Sequence, residues 1–286
     1  MQSSAASMRF APDPAASSGY PAALMSLLEE IEALPDNATG GLVFKNPVQG
    51  TLLLENGRVC WAAAAGMERR LGELIRAYAD EPPESRRVED VYKRCKKDSV
   101  PVVKALIDSG IVSFDGLREV VYQHTAEALV LLAQAPPAEP PLWVPHKHQG
   151  YDAKFTFEAA ELLIGAGSVC HPDLASRARV DFEGLLRSGV YALAYARPPG
   201  DGAPVPLYRS PGSYFKLRDT MALGRWAFSA LDVCNKYSAR AKIAATLVDP
   251  GEYLVAWHSR GLVSVAQCED SMSFAFIVGK RARATS

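Results

Sequence analysis

Gly50-Thr-Leu-Leu-Leu-Glu-Asn-Gly-Arg-Val-Cys-Trp-Ala62, followed shortly by Arg70-Leu-Gly-Glu-Leu-Ile75, is the stretch that decides the reading of the first half of this chain. Asn56-Gly57 is a two-residue hairpin signal, because a type I′ turn needs positive φ at both central residues. Leu52, Leu53 and Leu54 precede it, and Val59, Cys60 and Trp61 follow. The second piece is helical: Leu71, Leu74, Ile75 and Tyr78 recur at i, i+3, i+4 and i+7. None of this is catalytic vocabulary; a hairpin followed by an amphipathic helix suggests a small signalling or adaptor module.

Working outward, residues 1–20 are rich in Ala, Ser and Pro and are expected to be a disordered tail. Leu24, Leu27, Leu28, Ile31 and Leu34 form one helical stripe, and 41–45 is a short strand completing a small antiparallel sheet with the hairpin. Further helices are predicted over 69–78, 85–97 and 101–109. Gly110 is the left-handed closing residue of the last of these, and Ile111 its apolar partner. Ser113 caps a long helix to about 134, whose buried arc holds Phe114, Leu117, Val121, His124, Ala128 and Leu132. Residues 135–150 contain five prolines and read as a connection rather than a helix or central strand. A strand is predicted at 154–157 and a short helix at 158–164. Gly165-Ala-Gly167 and Pro172 mark a domain boundary.

The second half changes character. A helix over 174–187 leads to strands at 190–195 and 205–208, then a helix at 221–237. Strands follow at 243–248, 253–258, 262–267 and 274–278. The fold class is therefore α+β with two domains, at 21–168 and 173–283. The first is a small antiparallel sheet with helices, and the second an antiparallel sheet with helices on one face.

Composition narrows the function classes. The 286 residues include 31 basic and 32 acidic side chains, a net charge of −1, which argues against nucleic acid as a partner. Five scattered cysteines with no CxxC pair point to a reducing, cytoplasmic setting. The N-terminus lacks the apolar core of a secretory signal, and no apolar run approaches membrane-spanning length. No P-loop, HExxH or Gly-x-Ser-x-Gly pattern occurs. His146-x-His148 and Cys170-His171 lack the paired spacing of a zinc site. The expectation is a chain that is not an enzyme and carries no cofactor or metal.

The helix at 221–237 is the candidate partner-binding or dimer element. Its stripe of Leu223, Ala227, Ala230, Cys234 and Tyr237 is widened by Trp226, Leu231 and Val233 on one flank and by Met221 and Phe228 on the other. Arg225, Asp232, Asn235 and Lys236 give it only a narrow polar edge. An ordinary surface helix needs an apolar arc of about 100°. The surplus is covered either by residues 209–220 or by another chain, with Met221, Arg225, Trp226, Phe228 and Val233 as the contact candidates.

From Thr39 to Gly167 the chain resembles the PATAN-type (DUF4388) domain of bacterial signalling proteins. The carrying residues are the hairpin, Leu71-Gly72-Glu73-Leu74, the run 106–117, Gln123, Ala128, Leu129 and Phe155-Thr-Phe157. From Asp173 to Arg283 it resembles a roadblock/LC7 domain, on its helix–two strands–helix–strands order and the Asp249-Pro-Gly-Glu-Tyr-Leu-Val255 turn. It departs from that family in having four predicted strands after the central helix rather than three, and no closing helix. The resemblances imply a protein-binding adaptor, homodimeric, with a Ras-like small GTPase or a two-component response regulator as partner. Separately, Arg70-Leu-Gly72 with Ile75 is similar to the RLGxxL signature of cyclic-di-GMP-binding domains. It makes Arg70 the one ligand-binding candidate of an alternative reading, a cyclic-dinucleotide sensor.

Overall fold

The hairpin forms as its turn chemistry demands: Asn56 and Gly57 both take positive φ, 52° and 71°. The computed structural model describes residues 22–67, 71–78, 85–98, 102–134, 139–146, 153–185, 189–197, 203–211, 215–237, 242–259 and 261–284. The expected tail at 1–20 and Arg70 lie outside the described residues.

Strands β1 (Gly40–Phe44), β2 (Gly50–Glu55), β3 (Arg58–Ala64) and β4 (Leu142–Pro145) make an antiparallel sheet in the order β3-β2-β1-β4. Helix α1 (Ala22–Glu32) buries Leu24, Leu27, Leu28 and Ile31, as its stripe required. Helices α2 (Leu71–Tyr78), α3 (Ser85–Asp98) and α4 (Val102–Asp108) follow. At the end of α4, Gly110 has φ 64° and its N–H bonds Ile107 O, while Ile111 N–H reaches back to Leu106 O. That is the paired bonding of a Schellman close. Ser113 Oγ accepts from Gly116 N–H at 3.1 Å and caps α5 (Phe114–Leu132).

Three expectations fail between the halves. The proline-rich connection contains β4, paired to β1 from Val43↔Leu142 to Gly40↔Pro145. Pro145 is tolerated because β4 is an edge strand, where a missing N–H breaks no inner ladder. The pairing also rests on Gly40: a Cβ there would lie 2.5 Å from the Trp143 ring. Conversely, 154–157 is not a strand. A 3-10 turn spans Ala153–Phe155, and Phe157 forms a lone antiparallel bridge to Val59. Helix α6 (Ala159–Cys170) then runs straight through the glycines taken as a boundary. Gly165 serves packing instead, since a Cβ at that position would stand 2.8 Å from the Tyr122 ring of α5.

In the second half, α7 (Pro172–Glu183) precedes β5 (Val190–Ala196) and β6 (Val205–Arg209). Next come α8 (Leu217–Tyr237), β7 (Ile243–Asp249), β8 (Glu252–Ser259), β9 (Leu262–Cys268) and α9 (Ser271–Ala284). The five-stranded antiparallel sheet has the order β6-β5-β9-β8-β7. The α+β class holds, but the helices do not share one face. Val190, Ala192, Ala194 and Ala196 of β5 pack in a core with α7 and α9, whereas the alternate residues Leu193 and Tyr195 pack in another with α8. Period-2 alternation with apolar residues on both sides requires cover on both faces.

The expected strand at 274–278 is part of α9. Asp270 supplies the cap: its carboxylate accepts from Ser273 N–H at 2.7 Å and Ser273 Oγ at 2.9 Å. Phe274, Ile277, Val278 and Arg281 then fall at helical spacing, and Ile277 is fully buried against the sheet. A five-residue apolar run does not distinguish a buried strand from a helix; its flanks do. With 274–278 removed, three strands follow α8 and a helix closes the half.

Candidate interaction surface

Helix α8 buries Leu217, Thr220, Met221, Gly224, Ala227 and Leu231, and of these Gly224, Ala227 and Leu231 seat it on the sheet. Asp219 in its first turn and Lys236 in its last complement the helix dipole. The seat is close at Gly224, where a Cβ would meet Tyr195 Cε1 at 2.8 Å and Pro204 Cβ at 3.0 Å. Tyr195 is fully buried and donates its hydroxyl proton to Thr220 O at 2.7 Å. Burial holds its phenol well above the ordinary tyrosine value, so it stays a neutral donor.

The candidate contact residues divide. Met221 is buried and belongs to the N-terminal core along with Leu217, so it is no surface residue. Trp226 and Phe228 are half-buried against the core beneath α8, together with Phe215 of the preceding loop. That loop residue packs on the same core as the helix. Phe228 is also roofed by Arg197, whose guanidinium lies 4.9 Å from the ring centre and bonds Asp232 Oδ1 at 2.8 Å. Arg225 and Val233 do face outward, with Val233 49% exposed and Tyr237 at the helix end 88% exposed.

The strand expected at 243–248 is β7, and its place at an exposed sheet edge was not legible in the sequence. α8 and β7 touch, both contributing to one core through Ala227, Leu231 and Ala244. From 245 to 249 every residue of β7 is exposed, including Leu247 at 60% and Val248 at 52%. Among the described residues, β7 pairs only with β8 and leaves its other edge open. The opposite edge of the sheet is different. β6 is flanked by α6, whose Ser168 Oγ donates to Leu207 O at 2.7 Å. The only hint in sequence was Ala-Thr-Leu-Val, a strand run lacking the Lys or Pro that usually protects an edge.

Among the described residues no three His, Cys, Asp or Glu side chains gather as a metal site. His124 is buried, its ring centre 4.4 Å from that of Trp61. Burial pushes the Cys60 thiol up to about 12, the opposite of an activated nucleophile. Among the described residues no helix is long and apolar enough to cross a membrane. Comparisons with protein-family models, curated proteins and solved structures find no match.

Proposed function

We propose that this chain is a non-catalytic bacterial signalling adaptor that acts through protein–protein contact and self-associates through its C-terminal half. The observation that carries this reading is the open edge of β7 with its exposed Leu247 and Val248, together with the exposed Val233 and Tyr237 of α8, the helix that packs on one face of this strand; Leu247, in register with Tyr253, lies towards the other face. An unpaired strand edge with exposed Leu and Val offers backbone donors and acceptors together with apolar area. A second copy rotated by a twofold axis presents the same strand antiparallel and the same helix alongside, which satisfies both at once. The order helix–two strands–helix–three strands–helix supports the roadblock/LC7 resemblance, because the strand surplus and missing closing helix that set the chain apart from that family are gone. On that resemblance the partner is a Ras-like small GTPase or a response regulator, bound differentially by conformational state rather than chemically altered.

The test is the oligomeric state of the full chain by sedimentation across a range of concentrations. Leu247→Lys and Val233→Glu alter exposed side chains, so they leave the fold intact. We expect a dimer for the wild type and monomer for the double variant, with unchanged far-UV circular dichroism. A wild type that stays monomeric at the highest concentrations, or a double variant that still dimerises, removes β7 and α8 as the contact.

A further inference from the structure

We propose that Glu161 is an ionic latch that couples the N-terminal half of the chain to the C-terminal sheet and makes the two halves one cooperative body. Glu161 lies on α6 and is only 4% exposed. Its Oε1 accepts from Arg118 Nη2 of α5 at 2.6 Å and from Arg209 Nη2 of β6 at 3.0 Å. One buried carboxylate oxygen therefore holds guanidiniums from both halves. Arg118 is itself fixed on the N-terminal side: its Nε donates to Lys154 O at 2.9 Å and its guanidinium lies 5.0 Å from the Phe157 ring centre. Tyr122 Oη donates to the backbone carbonyl of Glu161 at 2.8 Å, which locks α6 on α5. On that frame, Arg209 is the member that ties in the sheet.

The apolar packing around the latch is reciprocal. Leu217 and Met221 from α8 sit in the N-terminal core, and Ile164 from α6 sits in the core beneath α8. Leu217 N–H also donates to Glu32 Oε1 of α1 at 2.9 Å. Apolar burial holds surfaces together without fixing their register. A charge pair that must be satisfied does fix it, because a slipped register strands a desolvated ion. Withdrawing Arg209 leaves Arg118 and Glu161 as a complete pair, so the N-terminal half keeps its integrity while the C-terminal half loses its ionic tie and retains the Ser168 Oγ–Leu207 O and Leu217 N–Glu32 Oε1 hydrogen bonds with the apolar packing. Withdrawing Arg118 weakens the N-terminal frame but leaves Glu161 joined to Arg209.

This asymmetry is what the experiment reads. Urea unfolding of the full chain is followed by hydrogen exchange at the amides of β2 and β3, and separately at those of β5 and β9. Coincident midpoints are expected in the wild type. In Arg209→Met the C-terminal amides should lose protection first, with midpoints separated by on the order of 1 M urea. In Arg118→Met both sets should fall together. Arg209→Lys keeps a charged donor and should bring the midpoints back towards coincidence. Separate midpoints in the wild type, coincident ones in Arg209→Met, or equal separation in Arg118→Met would each overturn the latch. Should Arg209→Met not fold, coincident midpoints in the wild type together with separation in Arg209→Lys smaller than in Arg209→Gln stand as its support, and separation in neither as its refutation.

Discussion

Gly224→Ala separates two opposing effects on one residue. In an unconstrained helix interior, Ala is favoured over Gly by about 1 kcal/mol. At Gly224 the added methyl would sit 2.8 Å from Tyr195 Cε1, 3.0 Å from Tyr195 Cδ1 and 3.0 Å from Pro204 Cβ. Carbon pairs prefer separations of about 3.5–4.0 Å. The ring cannot swing aside, because it is fully buried and its hydroxyl is bonded to Thr220 O. Relief must come from lifting α8 off the sheet, and overpacking of this kind costs roughly 1–3 kcal/mol. Set against the helix gain, the net is a loss of up to about 2 kcal/mol. Gly279 supplies the matched control: it lies within α9 and a Cβ there meets nothing within 4 Å. Gly279→Ala should therefore gain up to about 1 kcal/mol. Urea unfolding read by intrinsic tryptophan fluorescence measures both, and the two variants should move the midpoint in opposite directions. A double-mutant cycle with Tyr195→Leu then asks whether the ring is the obstacle, since removing it should reduce the cost of the added methyl by more than about 0.5 kcal/mol. If Gly224→Ala stabilises as much as Gly279→Ala, the close seating of α8 is wrong, and the placement of its outer stripe beside β7 falls with it.

Two further outcomes follow from the titratable groups. Burial lowers the pKa of His171; burial, then Arg197, lowers that of His258, with Asp232 opposing. The unfolded chain then binds protons more readily than the folded one, so stability should fall as the pH drops through about 6.5 and level off below the folded values. Unfolding midpoints across that window check this, and replacing both histidines with Gln should flatten the profile; an unchanged slope would count against it. With its thiol raised to about 12, Cys60 should resist alkylation in the folded protein near pH 8 and react only in denaturant. Peptide mass spectrometry reads the site, and native-state labelling of Cys60 as fast as in denaturant would contradict its burial.

Much of the fold was legible where chemistry is local. Asn56-Gly57 fixed a turn because few residues tolerate positive φ, and Ser113 and Gly110 marked helix ends because each satisfies orphan backbone groups within a few residues. Local signals failed where a residue's role depends on a distant neighbour. Gly165 looks like a boundary until Tyr122 is seen against it, and 274–278 looks like a strand until Asp270 caps it as a helix. The candidate surface divided in the same way. Val233 and Arg225 were readable as an outward face, but the burial of Met221 depends on the N-terminal core, with which it shares no local sequence.

The sequence by itself determined the α+β class, the period of most amphipathic elements and the lack of familiar catalytic motifs, because these depend on residues within one or two turns of each other. Only the tertiary structure decided that β7 is the open edge, that β4 joins the first sheet, and that Arg118, Glu161 and Arg209 converge. Those facts join residues dozens of positions apart, and strand order and charge pairing across such separations are settled by which surfaces close-pack, a property no local pattern encodes.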